Sequence, residues 1–192
     1  TETRPDCITL RQIKKYRKMN ITRVQLGVQH TDDNILDFIE RDSTLNDTIQ
    51  STRFLKDNGY KVDWHLMPDL PGSSYEEDLE MFRKLFSVNQ KINVTKNHTK
   101  YILNFPDLQA DQLKIYPCTV VDYTKIKEWY ENGVYKPYSE DENKLIEIIL
   151  YIKRNIFPWI RLNRIIRDIP NINILGGNQN VNLRQKVLQK MK

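Results

Sequence analysis

Apolar residues recur along this chain with two different spacings. Residues 21–29 carry them at every second position, which is typical of a strand with one buried face. Residues 73–87 carry them three or four positions apart, as on one face of an amphipathic helix. Segments of the two kinds follow one another along the chain, and this order predicts βα units around a parallel sheet.

The same two periods predict up to four strands and seven helices. Strands are predicted within residues 21–29, 60–67, 112–121 and 159–169. Helices are predicted over residues 8–18, 32–39, 43–58, 73–87, 125–132, 140–155 and 181–192. Residues 88–110 and 171–180 show no clear period, so we predict an irregular excursion and a Gly/Asn loop there. Gly27, inside the strand predicted within residues 21–29, indicates close approach by a ligand or a neighbouring group.

Three or four parallel strands are too few for a closed (β/α)8 barrel, which needs eight strands and about 250 residues. We therefore predict an α/β fold, namely a partial TIM-like (β/α) barrel that supplies the second half of a domain. The chain begins with Thr1 instead of Met. For both reasons we expect it to be part of a longer polypeptide.

Charge is unevenly distributed along the sequence. The net charge is +5, but residues 153–192 alone carry nine Lys and Arg against one acidic residue, so the remainder is slightly acidic. Arg161, Arg164 and Arg167 lie close in sequence to Trp159, a combination that surfaces for nucleic acid often use. A solvated basic face, or a contact with another domain, is the alternative.

Cys7 and Cys118 are too far apart in sequence to form a metal-binding motif by themselves, so reduced thiols are the simplest interpretation. No apolar run approaches the roughly 20 residues that span a bilayer. We therefore expect a cytoplasmic protein without membrane association.

Polar residues stand where several predicted strands end, as ligand sites do in parallel α/β folds. The candidates are Glu2, Gln29, His65, Lys114 and Tyr116. Polar residues at strand ends also bind loops, and a single His in an apolar strand is more often a satisfied core residue than a ligand. The sequence contains no P-loop, no GxGxxG motif and nothing that resembles a Ser-His-Asp triad.

Seven strings resemble, in the same order, a known family. They are ETRPD, TRVQLGVQ, LKDNGYKVDWHLMPDLPG, LKIYPCTVV, WYENGVYKPY, RIIRDIP and NLRQ. Together they resemble the catalytic subunit of Elongator, a radical S-adenosylmethionine and GNAT acetyltransferase family that modifies the wobble uridine of tRNA. The resemblance covers nearly the whole chain, apart from residues 88–110.

The resemblance implies the second half of a radical S-adenosylmethionine domain. Residues 1–87 would supply βα units, 88–110 an irregular insertion, 111–170 the last strands and helices, and 171–192 a basic linker towards an acetyltransferase domain. The cofactors implied are S-adenosylmethionine, a 4Fe-4S cluster and acetyl-CoA. The cysteines that hold the cluster and most of the acetyl-CoA site would lie outside this chain, so none of its residues is assigned to a metal.

The resemblance also implies roles for single residues at the cofactor site. Glu2 would bind the methionyl ammonium of adenosylmethionine, and Arg41 would bind its carboxylate. Each contact would be a charge-assisted pair. Gln29 would face the ribose or the methionyl group, and His65 stands where related enzymes often have an Asp for the ribose hydroxyls.

Lys114 and Tyr116 would line the barrel mouth as catalytic residues in radical transfer of an acetyl group from acetyl-CoA to uridine. The implied partners are tRNA, acetyl-CoA and other Elongator subunits. The expected tRNA-binding residues are Arg161, Arg164, Arg167 and Arg184. The rival hypothesis is a cluster-less module that binds tRNA or protein and has no catalytic activity.

Overall fold

The computed structural model describes residues 1–87, 91–96, 99–104, 109–166, 169–180 and 182–191. The strands are β1 (Glu2–Thr3), β2 (Arg23–Gln29), β3 (Lys61–Leu66), β4 (Lys91–Lys96), β5 (Thr99–Asn104), β6 (Gln112–Ile115), β7 (Thr119–Val121), β8 (Arg161–Arg164) and β9 (Ile174–Gly177). The α-helices are α1 (Leu10–Lys18), α2 (Asp33–Phe38), α3 (Leu45–Asp57), α4 (Tyr75–Leu85), α5 (Lys125–Glu131), α6 (Glu142–Asn155) and α7 (Leu183–Lys190). All seven predicted helices are present.

Five strands form one parallel sheet in the order β1-β2-β3-β6-β8. Their order in space is their order along the chain, without the reversal that marks a doubly wound sheet. This strand order is that of a (β/α) barrel. Within the described residues, β1 and β8 are the two edge strands of the sheet. The predicted α/β fold with a parallel sheet is confirmed, with five strands instead of three or four.

One face of this sheet is apolar and packs under the helices. Val24 and Leu26 of β2 and Trp64 of β3 are fully buried in one cluster with Ile49 of α3 and Phe82 of α4. Burying one such side chain stabilises the fold by about 1.5–3 kcal/mol. The core therefore fixes the strand register, since a shift by one residue would bring polar side chains into it.

The opposite face of the sheet carries the alternate, polar residues. Parallel pairing aligns Gln25 with Asp63, Asp63 with Gln112, and His65 with Lys114. Residues at aligned positions share a face, so these side chains lie together on the side that would be the interior of a barrel. We call this surface the polar face.

Polar side chains cap the starts of helices α2, α3 and α4. The side chain of Thr44 accepts from the backbone N–H of Asp47, whose carboxylate accepts from the backbone N–H of Thr44, which completes a capping box at α3. Ser74 caps α4, and Asp32 caps α2, in the same way with one bond each. These caps place the loops that precede α2, α3 and α4.

The prediction of an irregular excursion over residues 88–110 is wrong where the structure describes that segment. Strands β4 and β5 pair in antiparallel register, from Lys91 with Asn104 to Lys96 with Thr99. The strands KINVTK and TKYILN are rich in Lys, Thr and Asn, so their apolar period is weak. Their pairing with each other through the backbone, which the pattern does not show, makes them strands. Residues 88–90, 97–98 and 105–108 lie outside the described residues.

Two further predictions need correction. The segment 112–121 contains two strands, because Pro117 interrupts it, and β7 belongs to another sheet than β6. The predicted Gly/Asn loop contains β9, which pairs antiparallel with β7. A Cβ at Gly176 would lie 2.9 Å from the Tyr130 ring, so the glycine that suggested a loop instead allows close packing.

Within the segment 171–192, which the resemblance implies to be a linker, helix α7 packs onto α6. Leu183 and Val187 of α7 are fully buried against Leu145 and Ile149 of α6. The division of the chain at residues 87, 110 and 170 stays a prediction.

Candidate functional site

Four of the predicted site residues meet at the carboxyl end of the parallel strands. Glu2 Oε1 lies 3.2 Å from His65 Nδ1. The rings of His65 and Tyr116 are in edge-to-face contact, with centroids 5.7 Å apart. Lys114 stands beside His65 in the aligned register of β6 and β3. The strand ends thus bring a carboxylate, an imidazole, a phenol and an ammonium together, as the sequence predicted.

Gln25 joins this group, although the sequence analysis did not select it. Its Oε1 atom accepts a hydrogen bond from His65 Nε2 at 2.9 Å and another from Lys114 Nζ. The signal was present in the sequence, because Gln25 lies between the apolar residues Val24 and Leu26 and therefore points to the opposite face. Gln25 is four residues before the end of β2, so it is not among the residues at the strand ends.

His65 combines the two interpretations that the sequence left open. Its side chain is buried and hydrogen-bonded, as in a core histidine, yet it faces the polar candidate residues. Burial lowers the pKa of His65, although the Glu2 carboxylate raises it, and the Lys114 ammonium adds to the lowering. The imidazole is therefore mainly neutral at pH 7.

Gln29 and Arg41 meet at Gly27 of β2. Arg41 Nη2 donates to the Gly27 carbonyl oxygen at 2.8 Å, and a Cβ on Gly27 would lie 3.0 Å from the Gln29 amide nitrogen. Gln29 ends β2 in the left-handed region, with φ of 71°. The close approach predicted at Gly27 is thus made by two candidate site residues.

The Arg41 guanidinium has unused donor capacity. Its Nε atom is buried and has no hydrogen-bond partner among the described residues. Burial lowers the pKa of Arg41, and the nearby charge of Arg4 acts in the same direction. Arg4 itself is held by Asp6 and Asp42. Arg4 is thereby neutralised, so Arg41 is the cation at this point that is left to attract an anionic group.

A second group of polar side chains is in contact on the polar face, nearer the amino ends of the strands. Arg23 forms an ion pair with Asp63 at 2.5 Å, and the Asp63 side chain is almost fully buried. With its amide oxygen turned towards Arg23, Gln112 accepts from the guanidinium at 2.9 Å and 3.2 Å. The buried carboxylate is thus neutralised, and the base of the polar face is held together across β2, β3 and β6.

The turn that follows β3 is anchored by two buried carboxylates. Asp69 accepts from the backbone N–H groups of Tyr138 at 2.9 Å and Ser139 at 3.0 Å. Asp78 accepts from the Asp69 N–H at 2.5 Å and from the Ser73 hydroxyl at 2.8 Å. Burial raises the pKa of Asp69 to about 7. These bonds fix the backbone immediately after the His65 strand.

The basic residues divide between the two ends of β8. Arg164, at its carboxyl end, lines a cleft of about 510 Å³ together with Lys153 and Arg184. Amide side chains from Asn178, Gln179 and Asn180 line the same cleft. Arg161 is exposed at the first residue of β8, away from this group. Arg167 lies outside the described residues.

The two cysteines do not form a metal site. Cys7 is exposed and Cys118 is buried, and burial raises the pKa of the Cys118 thiol to about 12. Within the described part of the chain, no group of three His, Cys, Asp or Glu side chains is placed to hold a metal ion. None of the described helices is long and apolar enough to cross a membrane.

Two family models match the chain. The model of the radical SAM superfamily matches residues 1–85. The model of the radical SAM C-terminal domain matches residues 110–192. The predicted insertion lies almost entirely between the two matches.

Several curated proteins are similar to the chain over nearly its whole length. A tRNA uridine(34) acetyltransferase of Methanocaldococcus jannaschii is 42% identical over 190 residues, which are 99% of this chain and 32% of that protein. Elongator complex protein 3 of Saccharomyces cerevisiae is 35% identical over 191 residues, 100% of this chain and 31% of that protein. The chain thus spans about a third of the length of these relatives.

Solved structures show the same fold. The archaeal Methanocaldococcus infernus Elp3, with an N-terminal deletion, superposes with a TM-score of 0.85 at 39% identity, covering 99% of this chain and 40% of that chain. The radical S-adenosylmethionine methyltransferase TsrM from Kitasatospora setae gives a TM-score of 0.57 at 13% identity over 99% of this chain and 43% of that one, a likeness of fold alone.

These findings confirm the family that the sequence motifs indicated. The two family models cover most of the chain and leave out mainly the segment that the motifs also omit. The chain belongs to the radical S-adenosylmethionine superfamily, and within it the chain is similar to tRNA uridine(34) acetyltransferases and Elongator complex protein 3.

Proposed function

We propose that this chain is the second half of the radical S-adenosylmethionine domain of a tRNA uridine(34) acetyltransferase. The observation that carries the proposal is the cluster of Glu2, His65, Lys114 and Tyr116 at the carboxyl end of a barrel-type sheet. The names of the similar proteins, which match nearly the whole of this chain, support the substrate and the reaction. The chain spans about a third of those proteins, so the activity belongs to the longest natural polypeptide that contains it, which we call the parent polypeptide.

The residues at the sheet edge fit adenosylmethionine. Glu2 offers a carboxylate for the methionyl ammonium, and Arg41 offers its guanidinium for the methionyl carboxylate. Gln29 and His65 provide further polar atoms between these two ends. Because Gly27 has no side chain, the Arg41 side chain can lie against β2. A Cβ at residue 27 would be 2.7 Å from Arg41 Nη2.

The chain does not fit a 4Fe-4S cluster. A cubane cluster takes closely spaced cysteine thiolates, whereas Cys7 is alone at the surface and the Cys118 thiol stays protonated in the core. We therefore assign the cluster, and most of the acetyl-CoA site, to the remainder of the parent polypeptide. When bound, the cluster and adenosylmethionine supply the radical chemistry of the reaction.

The residues of this chain contribute binding and orientation. Lys114 and Tyr116 are the proposed catalytic residues, because each presents a hydrogen-bond donor at the barrel mouth beside the adenosylmethionine residues. The Tyr116 hydroxyl has no hydrogen-bond partner among the described residues, so it is available to the acetyl group or the uridine. The apolar core behind the polar face keeps water away from the strand side of the site.

The cleft beside β8 is the proposed contact for tRNA. Arg164 and Arg184 lie on it with Lys153, and no ion pair neutralises either Arg within the described residues. Phosphate contacts of this kind position an RNA without reading its sequence. We include Arg161 and Arg167 in the proposal as basic residues of the same segment. Other Elongator subunits and acetyl-CoA are proposed partners of the parent polypeptide. The two free cysteines of this chain favour the cytoplasm.

Anaerobic reconstitution of the parent polypeptide tests this function. We expect about four iron atoms per polypeptide, cleavage of adenosylmethionine to 5′-deoxyadenosine, and transfer of the acetyl group to tRNA. Lys114→Met should lower acetyl transfer by about 100-fold, while Lys84→Met, on the outer helix α4, should leave it unchanged. A parent polypeptide that binds tRNA but neither iron nor adenosylmethionine would instead establish the cluster-less binding module.

A further inference from the structure

Gln25 fixes two proposed site residues through one atom. Its Oε1 accepts from His65 Nε2 at 2.9 Å and from Lys114 Nζ. The Lys114 ammonium can only donate, so the amide oxygen, and not the amide nitrogen, must face it. The orientation of the Gln25 amide is therefore determined by Lys114.

The same oxygen determines where the His65 proton lies. An amide oxygen only accepts, so a hydrogen bond from His65 requires that Nε2 carries the proton. In the neutral ring, Nδ1 then holds a lone pair. Nδ1 faces Glu2 Oε1 at a distance of 3.2 Å. Two acceptors thus stand side by side, one imidazole nitrogen and one carboxylate oxygen.

We propose that Gln25 is a positioning residue that holds His65 in its Nε2–H tautomer, so that Nδ1 and the Glu2 carboxylate together accept the protons of a ligand ammonium group. An ammonium suits this pair because it can donate to both acceptors at once and carries the charge opposite to that of Glu2. This differs from the expected contact of His65 with the ribose. The choice of ligand rests on the proposed function, in which adenosylmethionine brings the ammonium, whereas the tautomer rests on geometry alone.

The surrounding charges agree with a neutral His65. Burial and the Lys114 ammonium both lower its pKa, and the Glu2 and Asp63 carboxylates raise it by less. Asp63 is also held by Arg23, which reduces its influence on the imidazole. As an acceptor at Nδ1, Glu2 favours the other neutral tautomer, and the Gln25 oxygen, whose orientation is fixed by Lys114, is the group that favours Nε2–H.

The tautomer can be measured directly by NMR of the 15N-histidine-labelled parent polypeptide, with the signals of His65 assigned from their loss in His65→Asn. At pH 7 we expect a protonated Nε2 and an unprotonated Nδ1. Gln25→Glu keeps an acceptor and should keep the proton on Nε2. Gln25→Leu removes the acceptor, so the proton should move to Nδ1, towards Glu2. Gln112→Leu is the matched control, because Gln112 lies on the same face but contacts Arg23.

Binding measurements test the ligand assignment separately. Gln25→Leu should weaken the binding of adenosylmethionine to the reconstituted protein by about tenfold. It should change the binding of 5′-methylthioadenosine, which has the ribose but lacks the ammonium, by less than about twofold. Equal losses for both compounds would show that the ribose is the donor and overturn the ammonium assignment.

The wild-type spectrum alone can overturn the tautomer, even where Gln25→Leu does not fold. A proton on Nδ1 only, or protons on both nitrogens at pH 7, would contradict the proposal. An unchanged tautomer in a folded Gln25→Leu variant would do the same. Absence of adenosylmethionine binding in the wild type would remove the proposed function and the ammonium assignment but leave the tautomer result standing.

Discussion

The guanidinium group of Arg41 lies against the backbone of Gly27 and donates a hydrogen bond of 2.8 Å to its carbonyl oxygen. A Cβ at residue 27 would come within 2.7 Å of Arg41 Nη2. The missing side chain thus allows a cation from the segment between α2 and α3 to reach the carboxyl end of β2. Both residues are needed to place a positive charge at this point of the site.

Gly27→Ala should therefore affect ligand binding more than stability. The clash involves the far ends of flexible side chains, so we expect a loss of only about 1 kcal/mol in the free energy of unfolding, at the low end for overpacking. Displacement of Arg41 should weaken adenosylmethionine binding about tenfold, measured anaerobically by equilibrium dialysis. In an Arg41→Ala background, Gly27→Ala should cause no further loss of affinity, and additive losses would contradict this account.

The ion pair of Arg23 with Asp63 supports a different prediction, one about stability. Arg23→Met leaves the Asp63 carboxylate buried without its cation, which should lower the free energy of unfolding by about 3 kcal/mol. The double variant Arg23→Met with Asp63→Asn removes the unpaired charge and should recover part of that loss. Urea unfolding of the parent polypeptide provides the measurement. If the double variant is no more stable than Arg23→Met alone, the buried charge is not the cause.

The elements of the main sheet could be predicted from the sequence because each signal was local. The alternation around Val24 and Leu26 marks β2, and Thr44 and Ser74 mark the starts of α3 and α4. A period of two or 3.6 and a capping residue need no knowledge of the rest of the chain. For this reason, the seven helices and the strands β2, β3, β6 and β8 were found.

The parts that the sequence did not reveal depend on distant partners. Strand β9 forms because β7 pairs with it, and Gly176 fits under the Tyr130 ring. Gln25 became a site residue only when the sheet aligned β2 with β3 and placed His65 within 2.9 Å of it. Pairing of residues 40 positions apart cannot be derived from a local period. The strand-end residues were predictable because parallel strands share one carboxyl edge.

Asp69 gives a prediction on the pH dependence of stability. Burial raises its pKa from 3.8 to about 7, so the folded protein binds this proton more tightly than the unfolded chain does. Its contribution is fully present below about pH 4 and is lost as the pH rises through about 7. Across that window, the free energy of unfolding should fall by a few kcal/mol, at about 1.4 kcal/mol per unit of pKa.

Asp69→Asn should remove this dependence, because the amide does not titrate. Asn also tolerates the left-handed backbone at this position, where φ is 67°. Urea unfolding between pH 4 and 8 should give a flatter curve for Asp69→Asn than for the wild type. Asp57→Asn, at an exposed carboxylate on α3, is the control and should keep the wild-type slope. An equal slope in all three proteins would assign the dependence to other groups.

Tyr116→Phe should separate catalysis from folding. The hydroxyl makes no hydrogen bond within the described residues, and the ring contact with His65 is kept in Phe. We expect the free energy of unfolding to change by less than about 0.5 kcal/mol and acetyl transfer to tRNA to fall at least about tenfold. Tyr75→Phe, on α4, is the control, because it removes a tyrosine hydroxyl outside the proposed site. Full activity of Tyr116→Phe would remove Tyr116 from the catalytic residues.

The cleft beside β8 predicts which basic residues matter for tRNA. Arg164→Glu combined with Arg184→Glu should weaken tRNA binding at least about tenfold. It should also reduce the slope of log K against log salt concentration by the contribution of about two phosphate contacts. The matched control is Arg11→Glu with Lys14→Glu on α1, which changes the total charge equally but leaves the cleft intact. Electrophoretic mobility of labelled tRNA at several salt concentrations measures both. Because the two double variants have the same net charge, equal losses would mean that overall charge, and not this cleft, attracts the tRNA.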